Sequence, residues 1–494
     1  MRAFGSPTRR FLSLFIGIPF AVAILPGSSA LAQAASAGAV PMASPISAAS
    51  AMQQLEASGN PLTGSVSNEK VSPNPVSLTL LDAINRGLKF NLGMLLSEQG
   101  NSAAAGARYS ALSRLLPNVD ARYGQSVQQI NLAAYGFPPP AGSSGIIGPF
   151  GVADVRASVT DNVLDFQALN SLRAANDNIR AARYSYRNTR DLVVLAVGSS
   201  YLQALADSAR VDAVQAQYKT AEALYNQAVD LRKAGMVAGI DVLRAQVEMQ
   251  TEQQRLIVAG NEYDKQLLAL ARVIGLPVAQ KFSLADKMPA PEPVNLTLED
   301  ALQSAYANRA DYKQAEALVL AGEHEVAAAR AERLPTIGIS GDYGDIGKNL
   351  GNSHGTFSAA AFIRIPVFQG GKVKGDVMQA EAELQRRRAQ YADLRGRIEY
   401  EVRTALMDVD AATRQLQVAA SAVKLAREQV AQSRDRFAAG VTNNLEVVQA
   451  QETQTAAEEN YISSLFAHNY AKLTLARALG VAEDATKKFL GGKQ

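Results

Sequence analysis

The sequence predicts a mainly α-helical protein with a small β part, built as an internal tandem duplication. Three observations carry this prediction. The two halves repeat the same phrases in the same order, long segments space their apolar residues by three and four, and four short segments alternate apolar with polar residues. The order helix, two strands, very long helix and shorter helix is therefore expected twice.

Segment 1–32 has the features of a secretory signal peptide. The basic start MRAFGSPTRR precedes the apolar run FLSLFIGIPFAVAIL and the small-residue site Ala30-Leu31-Ala32. That run is shorter than the about 20 residues that span a bilayer, and no later segment has the apolar length of a transmembrane helix. The formal charge of +3 resides in this segment, so the rest of the chain is balanced and no nucleic-acid partner is expected. We predict export without a helical membrane anchor.

The duplication sets the predicted boundaries. LTLLDAINRGLKFN at 78–91 returns as LTLEDALQSAYANR at 296–309, and RLLPNVDARYG at 114–124 returns as ERLPTIGISGDYG at 332–344. Segment 33–76 is rich in Ala, Ser, Pro and Gly, which is typical of a flexible linker. The predicted divisions are signal peptide 1–32, linker 33–76, first repeat 77–277, inter-repeat linker 278–295, second repeat 296–482 and C-terminal tail 483–494.

Each repeat is expected to begin with one helix of about 38 residues. Thr79 is the expected N-cap of the first, with Asp82 in its first turn. The helices should end at Leu116-Pro117 and Leu334-Pro335, because proline blocks helix continuation.

Two short strands should follow in each repeat. VADVRASVTDNVL at 152–164, TIGISGDYG at 336–344 and FSAAAFIRIPVF at 357–368 each place apolar residues on one face and polar residues on the other. The first repeat carries a longer loop, predicted at 135–151. The alternation fits a half-buried soluble sheet or a membrane barrel with a polar interior. Four strands cannot close a barrel, so several chains would have to pool their strands.

The very long helices carry a coiled-coil pattern. From 371 to 437, ten apolar residues are spaced alternately by four and three, from Ile398 to Val430. This period of about 3.5 predicts left-handed supercoiled packing along the helix. The first repeat keeps the same phase, with Ser200 and Asp207 as polar breaks. Each long helix is expected to lie beside two stacked shorter ones, over a length of roughly 100 Å.

Residues for catalysis or metal binding are not recognisable. There is no Cys, no phosphate-binding loop and no plausible nucleophile–base pair. His324 lies between two glutamates on a charged helix face, and Arg386-Arg387-Arg388 is expected to pair with neighbouring acids. We therefore expect no enzyme activity, no metal and no cofactor.

The order and spacing of these features resemble the TolC family of outer-membrane efflux channels. Besides the signal peptide and the duplicated plan, the resemblance rests on two helix reversals, AGMVAGIDVLRAQ at 234–246 and AGVTNNLEVVQAQ at 439–451, called here the first and second tip. It covers about residues 77–482, and the absence of Cys resembles the non-lipidated branch. The resemblance implies a homotrimer with a 12-stranded barrel in outer-membrane lipid and a helical barrel across the periplasm. It also implies a periplasmic adaptor and, through it, an inner-membrane pump.

The resemblance further implies that the tips gate the channel and dock the adaptor. Family members narrow the entrance with acidic residues on the second tip, and the matching positions are Glu446 and Gln449, of which only the first is acidic. A latch between an aromatic hydroxyl and an acid would map to Phe437 and Asp241, but Phe437 has no hydroxyl. The implied tip and docking residues are Gly235, Met236, Asp241, Leu243, Phe437, Gly440, Val441, Leu445 and Val447.

Two functions are weighed on this basis. The first is a passive outer-membrane channel of a tripartite efflux pump or a type I secretion system, gated at the tips. The alternative is a soluble periplasmic coiled-coil structural or adaptor protein with a small β cap. For Asp241 and Glu446, stabilisation of a helix N-terminus is the simpler alternative role.

Overall fold

The computed structural model describes residues 60–67, 69–138, 142, 144–289, 296–439, 441–442 and 444–484. These residues belong to one compact unit, Met52–Gln494. The predicted signal peptide 1–32, most of the linker 33–76, the stretch 290–295, Gly440 and nearly all of the predicted tail lie outside the described residues.

The described chain contains eight α-helices and six β-strands in an order that repeats. The helices are α1 (Leu80–Phe90), α2 (Leu92–Leu112), α3 (Phe166–Lys233), α4 (Gly239–Ile274), α5 (Leu298–Asn308), α6 (Ala310–Ala331), α7 (Lys372–Ala438) and α8 (Asn444–Ala478). The strands are β1 (Val76–Leu78), β2 (Asn118–Asn131), β3 (Ile146–Leu164), β4 (Phe282–Leu284), β5 (Thr336–Gly347) and β6 (Ser353–Arg364). The predicted duplicated, mainly helical plan is confirmed.

The first helix of each repeat is broken, so the prediction of a single continuous helix at this place was wrong. α1 begins as predicted, with a capping box between Thr79 and Asp82, but it ends at Phe90, and the next residue, Asn91, has an extended backbone at φ −64° and ψ 136°. The Asn91 side chain caps the next helix by accepting from the Gly93 N–H at 2.9 Å. Its amide donates to the Val273 carbonyl at 3.3 Å. A buried asparagine therefore satisfies the backbone groups that the break exposes.

Arg309 marks the same break in the second repeat. It lies between α5 and α6 and is only 1% exposed. Its guanidinium donates two hydrogen bonds to Asp311, at 3.0 and 2.6 Å, and one to Glu401 of α7 at 2.6 Å. It also donates to the Ala478 carbonyl at the end of α8, at 3.4 Å. Arg309 thus connects the break to both α7 and α8.

The long helices agree with the predicted seam. α7 has 67 residues, and all ten predicted seam residues are less than 9% exposed. α6 and α8 pack along α7, α2 and α4 pack along α3, and α6 also packs against α3. The seam residues are Ile398, Val402, Ala405, Val409, Ala412, Leu416, Ala419, Val423, Ala426 and Val430.

One window of α3 is apolar enough to be compared with a membrane span. Its mean hydropathy is 1.3, and 67% of the window is buried inside the protein. Val193, Val194 and Val197 are fully buried there against α1 and α4. In the described part of the chain this window is a segment of the helical core rather than a lipid-facing span.

Strands β3 and β5 of the sheet are longer than predicted, and the pairing has register shifts at 128–130 and 161–164. β2, β3, β5 and β6 form one antiparallel sheet in that order, with strands of 14, 19, 12 and 12 residues. The predicted long loop 135–151 is partly wrong, because β3 already begins at Ile146 and pairs with the end of β2. The two repeats join where β3 pairs with β5. β2 and β6 are left as open edges.

Candidate functional site at the helix tips and the sheet

The first tip reverses the chain between the end of α3 and the start of α4. Gly235 adopts the left-handed conformation at φ 74°, and the Met236 N–H donates to the Leu231 carbonyl at 2.8 Å. This is the hydrogen bond of a Schellman helix end, which requires a residue with positive φ. Met236 is 72% exposed at the apex. The conformational role of Gly235 thus follows from its backbone.

The second tip makes the equivalent hydrogen bond. The Val441 N–H donates to the Arg436 carbonyl at 2.9 Å after α7 ends at Ala438. Gly440, which the sequence placed at this point, lies outside the described residues, as does Asn443. Val441 is 69% exposed, which matches Met236 at the first tip. Both tips therefore present an apolar side chain at the apex.

Glu446 links the two helices of the second tip. Its carboxylate accepts hydrogen bonds from the hydroxyls of Thr442 and of Ser433 in α7, the latter at 3.4 Å. The Arg436 guanidinium lies 3.6 Å from the same carboxylate. The side chain remains 36% exposed. Glu446 therefore fastens the hairpin and still presents one edge of its carboxylate to solvent.

The Thr442 hydroxyl donates to the Glu446 carboxylate, which ties the reversal to the first turn of α8. α8 already begins at Asn444. Gln449 lies one turn beyond Glu446, at a position where it adds no charge.

The other predicted tip residues divide into exposed and buried ones. Leu243 is 58% exposed and Leu445 is 44% exposed, which is compatible with a docking surface. Val447 is fully buried, so it packs inside the hairpin and cannot be a contact residue for a partner. That assignment is corrected because position 447 falls on the seam of α8, with Ala450 beside it, also fully buried.

Phe437 and Asp241 have different partners. Phe437 is half-buried in a groove shared with Ala223 and Leu224 of α3. The Asp241 carboxylate lies 3.5 Å from the Arg244 guanidinium on its own helix. Asp241 is in the first turn of α4, which has no side-chain cap. The Asp241 carboxylate therefore pairs within its own helix, in a first turn where a negative charge also stabilises the helix N-terminus.

Sequence reasoning missed the contacts that close each tip. At the first tip, the Arg232 guanidinium lies directly over Gly239, where a Cβ would collide with it. At the second tip, Ser433 and Arg436 hold Glu446 from the opposite helix. Spacing along one helix could not show these pairs, because they form across the reversal.

Buried acids lie on the first hairpin beyond its tip. Glu252 of α4 is 3% exposed and pairs with Arg255 at 2.5 Å. Burial raises the pKa of Glu252, and burial together with Glu252 and Glu452 raises the pKa of Glu248. The first hairpin therefore buries a carboxylate that is compensated by an arginine on its own helix.

The sheet has two chemically different faces. In the register, Ala157 pairs with Tyr343 and Tyr343 pairs with Phe357, so these side chains share one face. Phe357 is 79% exposed and Tyr343 is 66% exposed. In the described protomer this face is a broad apolar surface open to its surroundings.

The opposite face is polar and internally paired. Arg156 donates to Asp342 across β3 and β5, and to the Thr356 hydroxyl of β6 at 3.2 Å. Ser158 donates to Asp120 of β2 at 2.7 Å. Alternation therefore places charges on one side and apolar groups on the other, as the sequence predicted.

Comparison with protein-family models identifies the family of this chain. The model described as outer membrane efflux protein matches residues 94–276 and 301–481, which is most of the chain and falls on both repeats. The chain belongs to the outer membrane efflux protein family. This membership places it in the outer membrane, with its helical part extending into the periplasm, as predicted. It also supports the prediction that the chain is not an enzyme.

Individual relatives of the outer membrane efflux protein family are distant. The chain is 24% identical over 304 residues to the toluene efflux pump outer membrane protein TtgC of Pseudomonas putida, a match covering 60% of this chain and 61% of TtgC. It is 25% identical over 335 residues to the pyoverdine export outer membrane protein OpmQ of Pseudomonas aeruginosa, covering 65% and 68%. The chain thus spans about three fifths of the length of the first of these relatives.

The fold is that of solved outer-membrane channels. The Campylobacter jejuni CmeC outer membrane channel superposes with a TM-score of 0.70 at 17% identity, covering 87% of this chain and 94% of CmeC. At this identity the likeness concerns the fold alone. It confirms the predicted fold class of long helices joined to a small sheet.

Proposed function

We propose that three copies of this chain form a passive outer-membrane channel of an efflux pump or a type I secretion system. The observation that carries this proposal is the two-faced sheet with open edges. Its apolar face is exposed and its polar face is paired across all four strands. Lipid would cover the first face, and a water-filled interior would solvate the second.

The open edges support assembly of several copies. β2 and β6 have no strand beyond them in the described chain, and four strands are too few to close around an interior. Joining β6 of one copy to β2 of the next removes both edges. Three copies would contribute twelve strands, the number that family resemblance implies.

The helices leave matching surfaces for the same assembly. On α7, Met407, Val418 and Leu425 are between 62% and 71% exposed on the side away from its seam. On α4, Val247 and Ile257 are 62% and 67% exposed. Burial of such residues between neighbouring copies would stabilise a closed helical barrel at about 25 cal/mol per Å² of apolar surface.

The tips supply the proposed gate and docking surface. Three Glu446 carboxylates around the axis would attract cations and bind multivalent ones. The apolar apex residues Met236 and Val441 would contact a periplasmic adaptor, which connects to an inner-membrane pump. Energy would come from that pump, and opening would require the tip hairpins to separate.

The charge and the size of Glu446 can be tested separately. Glu446→Gln removes the charge but keeps the acceptor for Thr442, whereas Glu446→Ala removes both. In planar bilayers, both variants should weaken block by multivalent cations, and only Glu446→Ala should also raise the conductance strongly. The control is Glu428→Ala, because Glu428 is an exposed acid on α7 that lies away from the tip. Unchanged cation block in both Glu446 variants would reject the gate.

Fractionation tests the assembly itself. A trimer that resists heat in detergent and sediments with the outer membrane supports the channel. A monomer released by osmotic shock would instead support the soluble adaptor alternative, which the exposed apolar sheet already disfavours.

A further inference from the structure

The two repeats differ in whether the arginines near the start of their long helices have carboxylate partners. In the second repeat, arginines where α6 packs against α7 are paired with glutamates on one or the other helix. Arg330 contacts Glu381 at 2.5 Å and Arg388 contacts Glu323 at 2.8 Å. The predicted pairing of the run 386–388 is thereby confirmed, with Glu383 and Glu325 as the further partners.

The first repeat lacks these acids. Five arginines lie near the start of α3, between positions 173 and 190, and Asp177 is the one acid among them. The Asp177 carboxylate already has two partners, because it lies 2.8 Å from His324 of α6 and 3.3 Å from Arg180. The arginines are Arg173, Arg180, Arg183, Arg187 and Arg190.

Spacing places these arginines on one face of α3. They are separated by seven, three, four and three positions, which is the repeat of a helix face. Arg183 and Arg187 both reach solvent. Arg108 of α2 joins them, since its guanidinium donates to the Asn176 side chain on α3 at 2.7 Å. We call Arg108, Arg180, Arg183 and Arg187 the basic strip.

Two adjoining cavities lie along this strip. The first, of 440 Å³, lies between α2 and α3 and is lined by Arg108, Tyr109, Arg180 and Arg183, with no acid in its wall. The second, of 590 Å³, continues along α3 past Arg187 to Lys313 of α6. Arg183 lines both cavities, so the two adjoin at its side chain, and we call them together the groove.

The acids at the groove do not neutralise it. Those of the second cavity are Asp191, Glu483 and Asp484, and Glu483 is held by two hydrogen bonds from Arg190 at 2.8 and 2.7 Å. Within the described ranges, Arg183, Arg187 and Lys313 form no ion pair with a carboxylate. Cationic side chains therefore outnumber acids in the groove as a whole, and the excess is greatest in the first cavity.

We propose that the basic strip binds an elongated anion carrying two or more carboxylate or phosphate groups. Guanidinium groups bind both kinds of oxyanion through paired, charge-assisted hydrogen bonds. Arg183 and Arg187 are one helical turn apart, about 6 Å along the helix axis, and the strip from Arg180 to Arg187 extends over about 10 Å. A single small anion would engage one end only, so a chain of anionic groups fits the strip best. The exposed ring of Tyr109 adds a surface for an apolar part of the ligand.

Binding to the basic strip is independent of the proposed channel activity, because it is measured without transport. The full chain, purified in detergent, is titrated with tripolyphosphate and separately with tricarballylate by calorimetry at low salt. The test variant is Arg183→Gln/Arg187→Gln. The matched control is Arg386→Gln/Arg388→Gln, which removes the same charge from the second repeat, where each arginine has an acid partner.

The expected result is binding to the wild type that weakens by at least about tenfold in the Arg183/Arg187 variant and by less than about twofold in the control. Binding of tripolyphosphate alone would assign a phosphate ligand, and binding of tricarballylate alone a carboxylate ligand. Arg183→Lys/Arg187→Lys should bind with intermediate affinity, because charge remains while paired hydrogen bonding is lost. Equal loss in test and control variants, or no binding of either probe to the wild type, would overturn the proposal.

Discussion

Arg309 offers a stringent test of how the helix break in the second repeat is stabilised. We consider Arg309→Met, which keeps most of the apolar volume and removes the charge. Loss of one member of a buried charged pair costs about 3–5 kcal/mol. Glu401 is 37% exposed and can regain water, and Asp311 keeps Arg477 at 3.5 Å. We therefore expect the lower end of that range, a loss of about 3 kcal/mol in the free energy of unfolding.

The measurement is equilibrium unfolding in urea, followed by far-ultraviolet circular dichroism. Arg386→Met serves as the control, since Arg386 is 64% exposed and its pair with Glu383 should contribute less than about 1 kcal/mol. A loss below about 1 kcal/mol for Arg309→Met, or one equal to that of the control, would refute the reasoning.

The same variant has a predicted pH dependence. Burial by itself would raise the pKa of Asp311, but its hydrogen bonds and the charges of Arg309 and Arg477 outweigh burial and hold the pKa below its ordinary value. A lowered pKa means that the stabilisation is present at neutral pH and is lost as the pH falls through the folded-state pKa. The difference between wild type and Arg309→Met should therefore narrow under acid conditions.

Three further predictions use the same unfolding assay. Gly480 has φ 74°, and a Cβ there would lie 2.7 Å from the backbone nitrogen of Arg309, so Gly480→Ala should lower the free energy of unfolding by about 2 kcal/mol or more. Its control is Gly396→Ala inside α7, where a Cβ meets open space and the free energy of unfolding should rise by about 0.5–1 kcal/mol. Burial raises the pKa of Asp191 to about 6 from 3.8, so Asp191→Asn should stabilise the protein by about 1–3 kcal/mol above pH 6, and the gain should vanish below about pH 4. Thr79→Ala removes the capping box with Asp82 and should cost about 1 kcal/mol. The opposite sign in any of these variants would contradict its stated cause.

Features set by local periodicity were predictable from the sequence. The seam of α7 follows from spacing alone, because a period near 3.5 keeps the same side chains toward a partner along the whole helix. The capping box at Thr79 likewise depends on residues only three apart. The alternation of polar and apolar residues in β3 and β5 gave the correct faces of the sheet.

Features made by distant residues were not predictable in this way. The break at Asn91 is stabilised by the Val273 carbonyl, and that at Arg309 by the Ala478 carbonyl, and both partners lie far away along the chain. Glu446 was recognised as a candidate, but its contacts with Ser433 and Arg436 form only across the reversal. Predicted repeat boundaries and the gate assignment remain predictions.

The pairing of β3 with β5 has a consequence for the ancestry of the chain. Each repeat supplies one β-hairpin and one helical hairpin, and the joint between repeats within the chain is of the same antiparallel kind as the proposed joint between copies. A protein half this length could therefore have built a similar ring from twice as many identical subunits. Because the two units are joined in one chain, their tips need not be identical, and here one carries Glu446 and the other Asp241.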